Sequence, residues 1–381
     1  MAGSICDVLP AAAALLGVAG ASEGTAELGL AERVGDVRRV AVVLVDGMGY
    51  HLLPLLADDA PLLASVCAGT AGHLDELTCT FPSTTPTSLA SFGTGVPPGQ
   101  HGVLGFTVNI PGTDRVLTHI FWRTEDPGAP APSVWQPVPT WFERLRAAGI
   151  SARAVLPEPL IGSGLTEAVY RGAEFRPTAK GEHYAARVSA ELAAAPGLVF
   201  GYTAALDRAA HLSGIGSPHW HSAANRVDAL LRRLVEELPG DAALLVTADH
   251  GGLNVPVGDT GARVDLDADP RLSAGVRVVA GEPRVRYLHT EPGATPDVLA
   301  AWSEVLAGRA VVRSRDEAVA AGLFGPVRPE HLARIGDVVV TCTGDTAVLA
   351  TGHEPPESAM LVGFHGADTP VEMAIPLITF R

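Results

Sequence analysis

Two apolar runs end in acidic residues flanked by glycine. Asp46-Gly47-Met48-Gly49 follows Arg39–Val45, and Asp249-His250-Gly251-Gly252 follows Ala242–Thr247. Carboxylate oxygen combined with imidazole nitrogen is ligand chemistry that suits zinc, whereas all-oxygen sites suit magnesium or calcium. Glycine beside such residues lets the backbone come close to a ligand. Asp-Gly is also an ordinary turn, and a polar loop after a strand needs no metal. Asp207-x-x-x-His211 would put both side chains on one helical face, within reach of one ion, and it also reads as a plain helix start. His365, in Gly363-Phe364-His365-Gly366, is a further ligand candidate, with His353 in Thr351-Gly352-His353-Glu354 as its rival.

The remaining chemical group is an alcohol. In Phe81-Pro82-Ser83-Thr84-Thr85-Pro86-Thr87-Ser88-Leu89, Pro86 suits the first position of a helix, which makes Thr85 the N-cap. A hydroxyl there stands at the positive end of the helix dipole, beside unsatisfied N–H groups, a place that suits a phosphate and an alkoxide. Threonine is equally a common N-cap with no catalytic role.

These residues need elements that bring them together. Arg39–Val45 is a β-branched apolar run and reads as a strand buried on both faces, hence part of a parallel sheet. Ser151–Leu156, Gly197–Tyr202 and Ala242–Thr247 have the same form. Helical patterns lie between them at Val138–Ala148, Tyr184–Ala195 and His221–Leu238, with another at His51–Leu56. The alternation predicts an α/β fold, a doubly wound, mostly parallel sheet with helices on both faces. The texture changes after Gly252. Strands at Val276–Val279, Arg284–Thr290, Ala310–Ser314 and Asp337–Thr341, with helices at Thr295–Leu306 and Arg315–Ala321, predict a small α+β insertion. The expected organisation is an N-terminal helical lead over 1–36, a catalytic core over 37–255 and 351–381, and an insertion over 256–350.

Composition narrows the function. Among 381 residues, 42 acidic against 27 basic side chains give a net charge of −15, which disfavours a nucleic-acid polymer as partner. Apolar residues make up 47% of the chain, too many for general disorder. Lys180 is the only lysine, so a Schiff base has one candidate. Cys6, Cys67, Cys79 and Cys342 are scattered without a CxxC pair, and indicate neither a disulfide framework nor a zinc knuckle. The apolar stretch Val8–Ala21 lacks a basic leader and follows Asp7, so it reads as a core-packed helix and not a signal peptide. No run is long enough to span a bilayer. The expectation is a cytoplasmic protein without membrane attachment.

Taken together, the motifs resemble the alkaline phosphatase superfamily, and within it the type I phosphodiesterase/nucleotide pyrophosphatase branch. The resemblance runs from about Val42 to Ile378 and is weakest over the insertion. It rests on Asp46-Gly47, Pro82-Ser83-Thr84-Thr85, Gly95 through His101-Gly102, Asp207-x-x-x-His211, Asp249-His250-Gly251 and His365-Gly366. It implies two divalent ions, zinc in most members, with manganese as the alternative. One ion would be held by Asp207, His211 and His365, the other by Asp46, Asp249 and His250, with the Thr85 oxygen between them. The family's nucleophile lies three residues after a proline and ten before the glycine of a Thr-Gly pair. Counting from Pro82 and back from Gly95 both give Thr85, with Thr84 and Thr80 as runners-up.

The implied activity is hydrolysis of phosphodiester or pyrophosphate bonds in small phosphate esters, nucleotide-type substrates first, through a phospho-threonine. A sulfatase would need Cys or Ser in C/S-x-P-x-R, and Cys79-Thr80-Phe81-Pro82 has the wrong spacing. A phosphomonoesterase expects an arginine near the nucleophile, and none lies near Thr85. A phosphonate hydrolase, a metal-dependent phosphosugar mutase and an inactive metal-binding interaction protein are the other readings. Phe106 and Asn109 are expected substrate contacts, by stacking and by donating to a phosphoryl oxygen. His101 is expected to be a structural hydrogen-bonder, Cys79 a core residue, His219-Trp220-His221 a surface cluster, and Arg284 and Arg286 solvated.

Overall fold

The computed structural model describes residues 3–21, 28–56, 59–178, 184–258 and 261–381. Lys180 lies outside the described residues. In chain order the strands that build the two larger sheets are β1 (Arg39–Val45), β2 (His73–Thr78), β3 (Ala152–Pro157), β4 (Glu174–Thr178), β5 (Gly197–Thr203) and β6 (Ala242–Thr247). They are followed by β7 (Val276–Glu282), β8 (Val285–Thr290), β9 (Ala310–Ser314), β10 (Val338–Cys342) and β11 (Ala374–Phe380).

The main sheet has the order β2-β11-β6-β1-β5-β3-β4. From β6 to β4 every pair is parallel, and β11 runs antiparallel to both β6 and β2. The sheet is therefore the mostly parallel one that the alternating pattern predicts. In β1, Val40 to Val45 are all buried, as expected of a strand covered by helices on both faces. Each fully buried valine or leucine there contributes about 1.5–3 kcal/mol relative to exposure. The edges differ: β2 (HLDELT) and β4 (EFRPT) are half-exposed, and their charges and Pro177 blunt open edges against further pairing.

The lead helix α1 (Ile5–Leu15) starts at Ser4 through a reciprocal capping box with Asp7. It packs on α2 (Thr85–Thr94). It begins three residues before the expected Val8 and ends well short of Ala21, because the capping signal lies upstream of the apolar run. His51–Leu56 belongs to a 3-10 helix, Tyr50–Leu56, not an α-helix.

Between β6 and β11 the chain builds a second, antiparallel sheet of order β7-β8-β10-β9. Its own apolar cluster includes Leu272, Leu288, Val298, Trp302 and Val340. Arg284 and Arg286 are buried, contrary to the solvated positions expected of them. Arg284 forms a two-point pair with Glu372, Nε–Oε1 3.0 Å and Nη2–Oε2 2.7 Å. Arg286 pairs with Glu354, Nη2–Oε2 3.0 Å, and donates to the Val348 carbonyl. The strand pattern alone did not reveal that segments 346–354 and 366–372 cover this sheet. No described helix is long and apolar enough to cross a membrane.

Candidate active site

The carboxyl edge of the main sheet gathers the motif residues. Asp46 follows β1, Asp249 follows β6, and Asp207 lies on α3 (Ala205–Ser213), just past β5. Thr85 opens α2 after β2. His365 arrives from the other direction: it precedes β11, whose reversed sense brings the residues before it to the same edge. The loops are stitched there by backbone bonds, Asp46 N–H to Thr203 O (3.0 Å) and Asp207 N–H to Asp46 O (3.2 Å). Gly47 has φ +73°, and a Cβ there would stand 2.8 Å from the Asp207 Cβ, so the close approach requires glycine.

Three histidines share one arrangement. Nδ1 of His211 lies 2.8 Å from Gly363 O, Nδ1 of His250 2.8 Å from Gly251 O, and Nδ1 of His365 2.9 Å from Ser83 O. A carbonyl only accepts, so each Nδ1 carries the proton and each Nε2 is turned to the cluster. Nε2 of His211 lies 3.1 Å from Asp207 Oδ2 and 3.3 Å from Nε2 of His365. Nε2 of His250 lies 3.4 Å from Asp46 Oδ1, and its ring stacks on His365 at 3.7 Å between centroids.

Among the described residues, two groups place all their ligand atoms within 4.8 Å of one another: Asp46, Asp249 and His250, and Asp207, His250 and His365. The first is the set expected for one ion. The second shares two members with the set expected for the other, and His211 touches both Asp207 and His365. His250 thus stands between the two groups instead of belonging to one.

The electrostatics fit cations. Burial, then the charges of Asp249 and Asp207, push the Asp46 carboxyl well above its ordinary range. Burial acts against the charged form of Asp207 too, but His211 outweighs it and holds that carboxyl low. Burial opposes the charged His211, and Asp207 more than offsets this, raising the imidazole to about 9. Asp249 Oδ2 is buried with no hydrogen-bond partner. Crowded carboxylates, an orphaned carboxylate oxygen and converging imidazole nitrogens are what divalent ions would satisfy.

Thr85 points into this cluster. Its Oγ1 lies 3.2 Å from His250 Nε2 and 3.5 Å from Asp46 Oδ1. It is not the N-cap. Thr84 takes that position, extended at φ −133° and ψ 147°, with Ser88 N–H bonded to its carbonyl, and Pro86 is the second helical residue. The shift by one residue leaves the Thr85 hydroxyl free of capping. Thr80 is bonded to Ser91 instead, at 3.0 Å.

The other expectations separate. His353 is exposed beside Asp267, at 3.1 Å, and takes no part in the cluster. His101 is buried, accepts from Val103 N–H and bonds Ser91, a structural role. Cys79 is buried. Trp220 is a buried core residue in the first turn of α4 (Pro218–Glu236), so the run around it is not simply a surface cluster. Phe106 and Asn109 take no part in the cluster's hydrogen bonds. They flank Thr107, whose hydroxyl donates to Gly281 O at 2.7 Å, and Asn109 Oδ1 is buried without a partner.

Several residues were missed. Tyr202 donates to Asp46 Oδ2 from the penultimate position of β5. Ser83 supplies its carbonyl to His365 and its hydroxyl to Ala367 O. Glu282, at the end of β7, is buried with Oε2 3.8 Å from His365 Nδ1, and burial raises it to about 8. A tyrosine one residue before the polar end of a buried strand was a readable signal; Ser83 and Glu282 carried none.

The fold is shared with solved structures. The chain is similar in structure to murine ectonucleotide pyrophosphatase/phosphodiesterase 5, an inactive threonine-to-alanine form in complex with AMP. The TM-score is 0.69 at 18% identity, covering 90% of this chain and 87% of that one. The human counterpart gives 0.67 at 15%, covering 89% and 87%. Phosphonoacetate hydrolase from Sinorhizobium meliloti 1021, in complex with phosphonoformate, gives 0.64 at 19%, covering 90% and 89%. Comparison with curated proteins finds no match. The model of the family "Type I phosphodiesterase / nucleotide pyrophosphatase" matches residues 40–368, a span holding all the clustered residues. The chain therefore belongs to the type I phosphodiesterase/nucleotide pyrophosphatase family, within the alkaline phosphatase superfamily.

Proposed function

We propose that the protein is a two-metal phosphohydrolase that cleaves phosphodiester or pyrophosphate bonds of small molecules, nucleotide-type substrates first, with Thr85 as nucleophile. The observation that carries this reading is the shared anchoring of His211, His250 and His365, each with Nδ1 on a backbone carbonyl and Nε2 turned toward Asp46, Asp207, Asp249 and the Thr85 hydroxyl. Asp207, His211 and His365 would hold one ion and Asp46, Asp249 and His250 the other. The mixed nitrogen and oxygen donors favour zinc, with manganese as the alternative. Bound ions would supply positive charge that acidifies the Thr85 hydroxyl and neutralises phosphoryl oxygens.

The chain's own residues do the rest. Thr85 is the first residue of α2, where backbone N–H groups lack helical partners and would suit an incoming phosphoryl group. Its Oγ1 gives up its proton to solvent and attacks phosphorus, the bond to the leaving group breaks with its electron pair staying on the leaving oxygen, and a phospho-threonine forms. Water then attacks that phosphorus, the bond to Oγ1 breaks, and the threonine regains a proton. Tyr202 holds Asp46 in place from behind. Phe106 and Asn109 are assigned as outer substrate contacts. We assign catalysis to residues 37–255 and 351–381, with 1–36 as a lead and 256–350 as a cap. The four free cysteines suit a cytoplasmic setting.

The test is a substrate panel with added zinc or manganese: a bis-aryl phosphodiester, an aryl nucleotide diester, an aryl monoester, an aryl sulfate and a phosphonate. The nucleotide diester should be the best substrate. Thr85→Ala should lower turnover by at least about a thousandfold while bound metal remains. Wild-type turnover in that variant would overturn the assignment, and a preference for the phosphonate would move the substrate class.

A further inference from the structure

A buried carboxyl from the inserted sheet reaches the rear of the metal-facing cluster without a good partner. Glu282 ends β7 and is 5% exposed. A Cβ on Gly366 would meet its Cδ at 2.9 Å and its Cγ at 3.0 Å, so the side chain lies flat against the His365-Gly366 backbone. Its Oε2 stands 3.8 Å from Nδ1 of His365, the nitrogen turned away from the cluster. The Thr84 hydroxyl is near enough to act on the same carboxyl and, like Glu282 Oε1, is buried with no hydrogen-bond partner. Thr84 is the N-cap of the helix that carries Thr85. Glu282 therefore touches the two loops that must be held in register, one bearing a histidine ligand and the other the nucleophile.

The contrast with Glu372 sharpens the point. That carboxylate is equally buried, but it is answered by Arg284, by Ala367 N–H at 3.0 Å and by the Thr369 hydroxyl. It needs nothing else and is explained by packing. Glu282 keeps an unsatisfied oxygen, and a buried group left in that state calls for a reason. Only Pro283 separates it from Arg284, whose ion pair fixes the turn that delivers it.

We propose that Glu282 is a positioning residue that clamps the His365 loop to the start of α2, so that His365 presents Nε2 to the metal while Thr85 keeps its place beside His250. The proposal rests on the two-metal reading above. It makes the inserted sheet a participant in building the site and not merely a cover over it. The Ser83 carbonyl already accepts from His365 Nδ1, so Glu282 acts by holding the loop and not as a second acceptor; groups that support a ligating histidine are typically worth about ten- to a hundredfold in metal affinity or activity.

The experiment compares the full-length wild type with Glu282→Leu, Glu282→Ala and Glu282→Gln. It measures zinc affinity by chelator competition, kcat and KM on the aryl nucleotide diester, and thermal stability. Leucine fills the volume without polar atoms, and glutamine keeps both the shape and two polar atoms in the same place. Leucine and alanine should each weaken zinc binding about tenfold or more and lower kcat, with KM within about twofold. Glutamine should restore both to within about threefold. Wild-type zinc affinity and kcat in Glu282→Leu would overturn the proposal, even if Glu282→Ala failed to fold. Glutamine as damaging as leucine would also overturn it, by making the charge and not the clamp the active feature. A wild type that neither bound zinc nor hydrolysed the diester would sink the two-metal reading itself. Normal wild-type behaviour with an unaffected Leu variant sinks only the role of Glu282.

Discussion

Where the inserted sheet meets the core, Arg284 and Glu372 are both fully buried, and each answers the other at two points. At the carboxyl edge of the main sheet, Asp46 and Asp249 are just as buried, yet the nearest charges around Asp46 include two more carboxylates. Asp249 is left with an oxygen that bonds nothing. Both regions remove charge from water, which is costly unless the charge is paired. In the first, the protein supplies the countercharge from its own sequence. In the second the charges set around Asp46 are further carboxylates, the His211 imidazole is matched by Asp207, and the other histidine nitrogens are aimed at the same space. Buried charge that is internally complete reads as architecture; buried charge that is incomplete reads as a site awaiting something.

That contrast can be broken by substitution. The largest effect should come from the completed pair. Glu372→Gln leaves Arg284 buried and uncompensated and should cost about 3–5 kcal/mol in chemical denaturation. Replacing both partners, Arg284→Met with Glu372→Leu, should recover about half of that loss, the rest reflecting the Ala367 and Thr369 bonds. If the single and double variants are equally damaged, the pair is not the unit argued here. The smaller effect has the opposite sign. Asp249→Asn keeps an oxygen for the Gly47 and His250 N–H groups, both 3.1 Å away, and removes one of the crowded charges. In chelator-treated protein it should leave stability unchanged or raise it by about 1 kcal/mol, while abolishing stabilisation by zinc. A loss of several kcal/mol in that metal-free state would mean that Asp249 is architecture after all.

How much of this was readable in the residues depended on whether a local pattern sufficed. Arg39–Val45 and Ala242–Thr247 were legible to the residue, because a β-branched apolar run ending in a polar turn has few other solutions. His73–Thr78 was not, since an edge strand carries charges on both faces and lacks that contrast. Ala374–Phe380 was obscured by Pro376, tolerated there because pairing with β6 begins only at Leu377. The structure gathers the six metal-ligand candidates and Thr85; strand ends and glycine mark Asp46, Asp249, His250 and His365, helical spacing marks Asp207 with His211, and the following proline marks Thr85. Tyr202, beside the polar end of a buried strand, was readable, but Glu282 and Ser83 became visible only in three dimensions: their importance comes from what long-range packing sets beside them. The burial of Arg284 and Arg286 was hidden for the same reason.

The central claim is that Asp46, Asp207, His211, Asp249, His250 and His365 together hold two ions around the Thr85 hydroxyl. Anomalous diffraction at the zinc edge from zinc-loaded crystals tests it most directly. The account predicts two peaks about 4 Å apart, one bounded by Asp46, Asp249 and His250 and the other by Asp207, His211 and His365, with Thr85 Oγ1 adjacent. A single peak, or two peaks that leave Asp249 or His365 unligated, would contradict it.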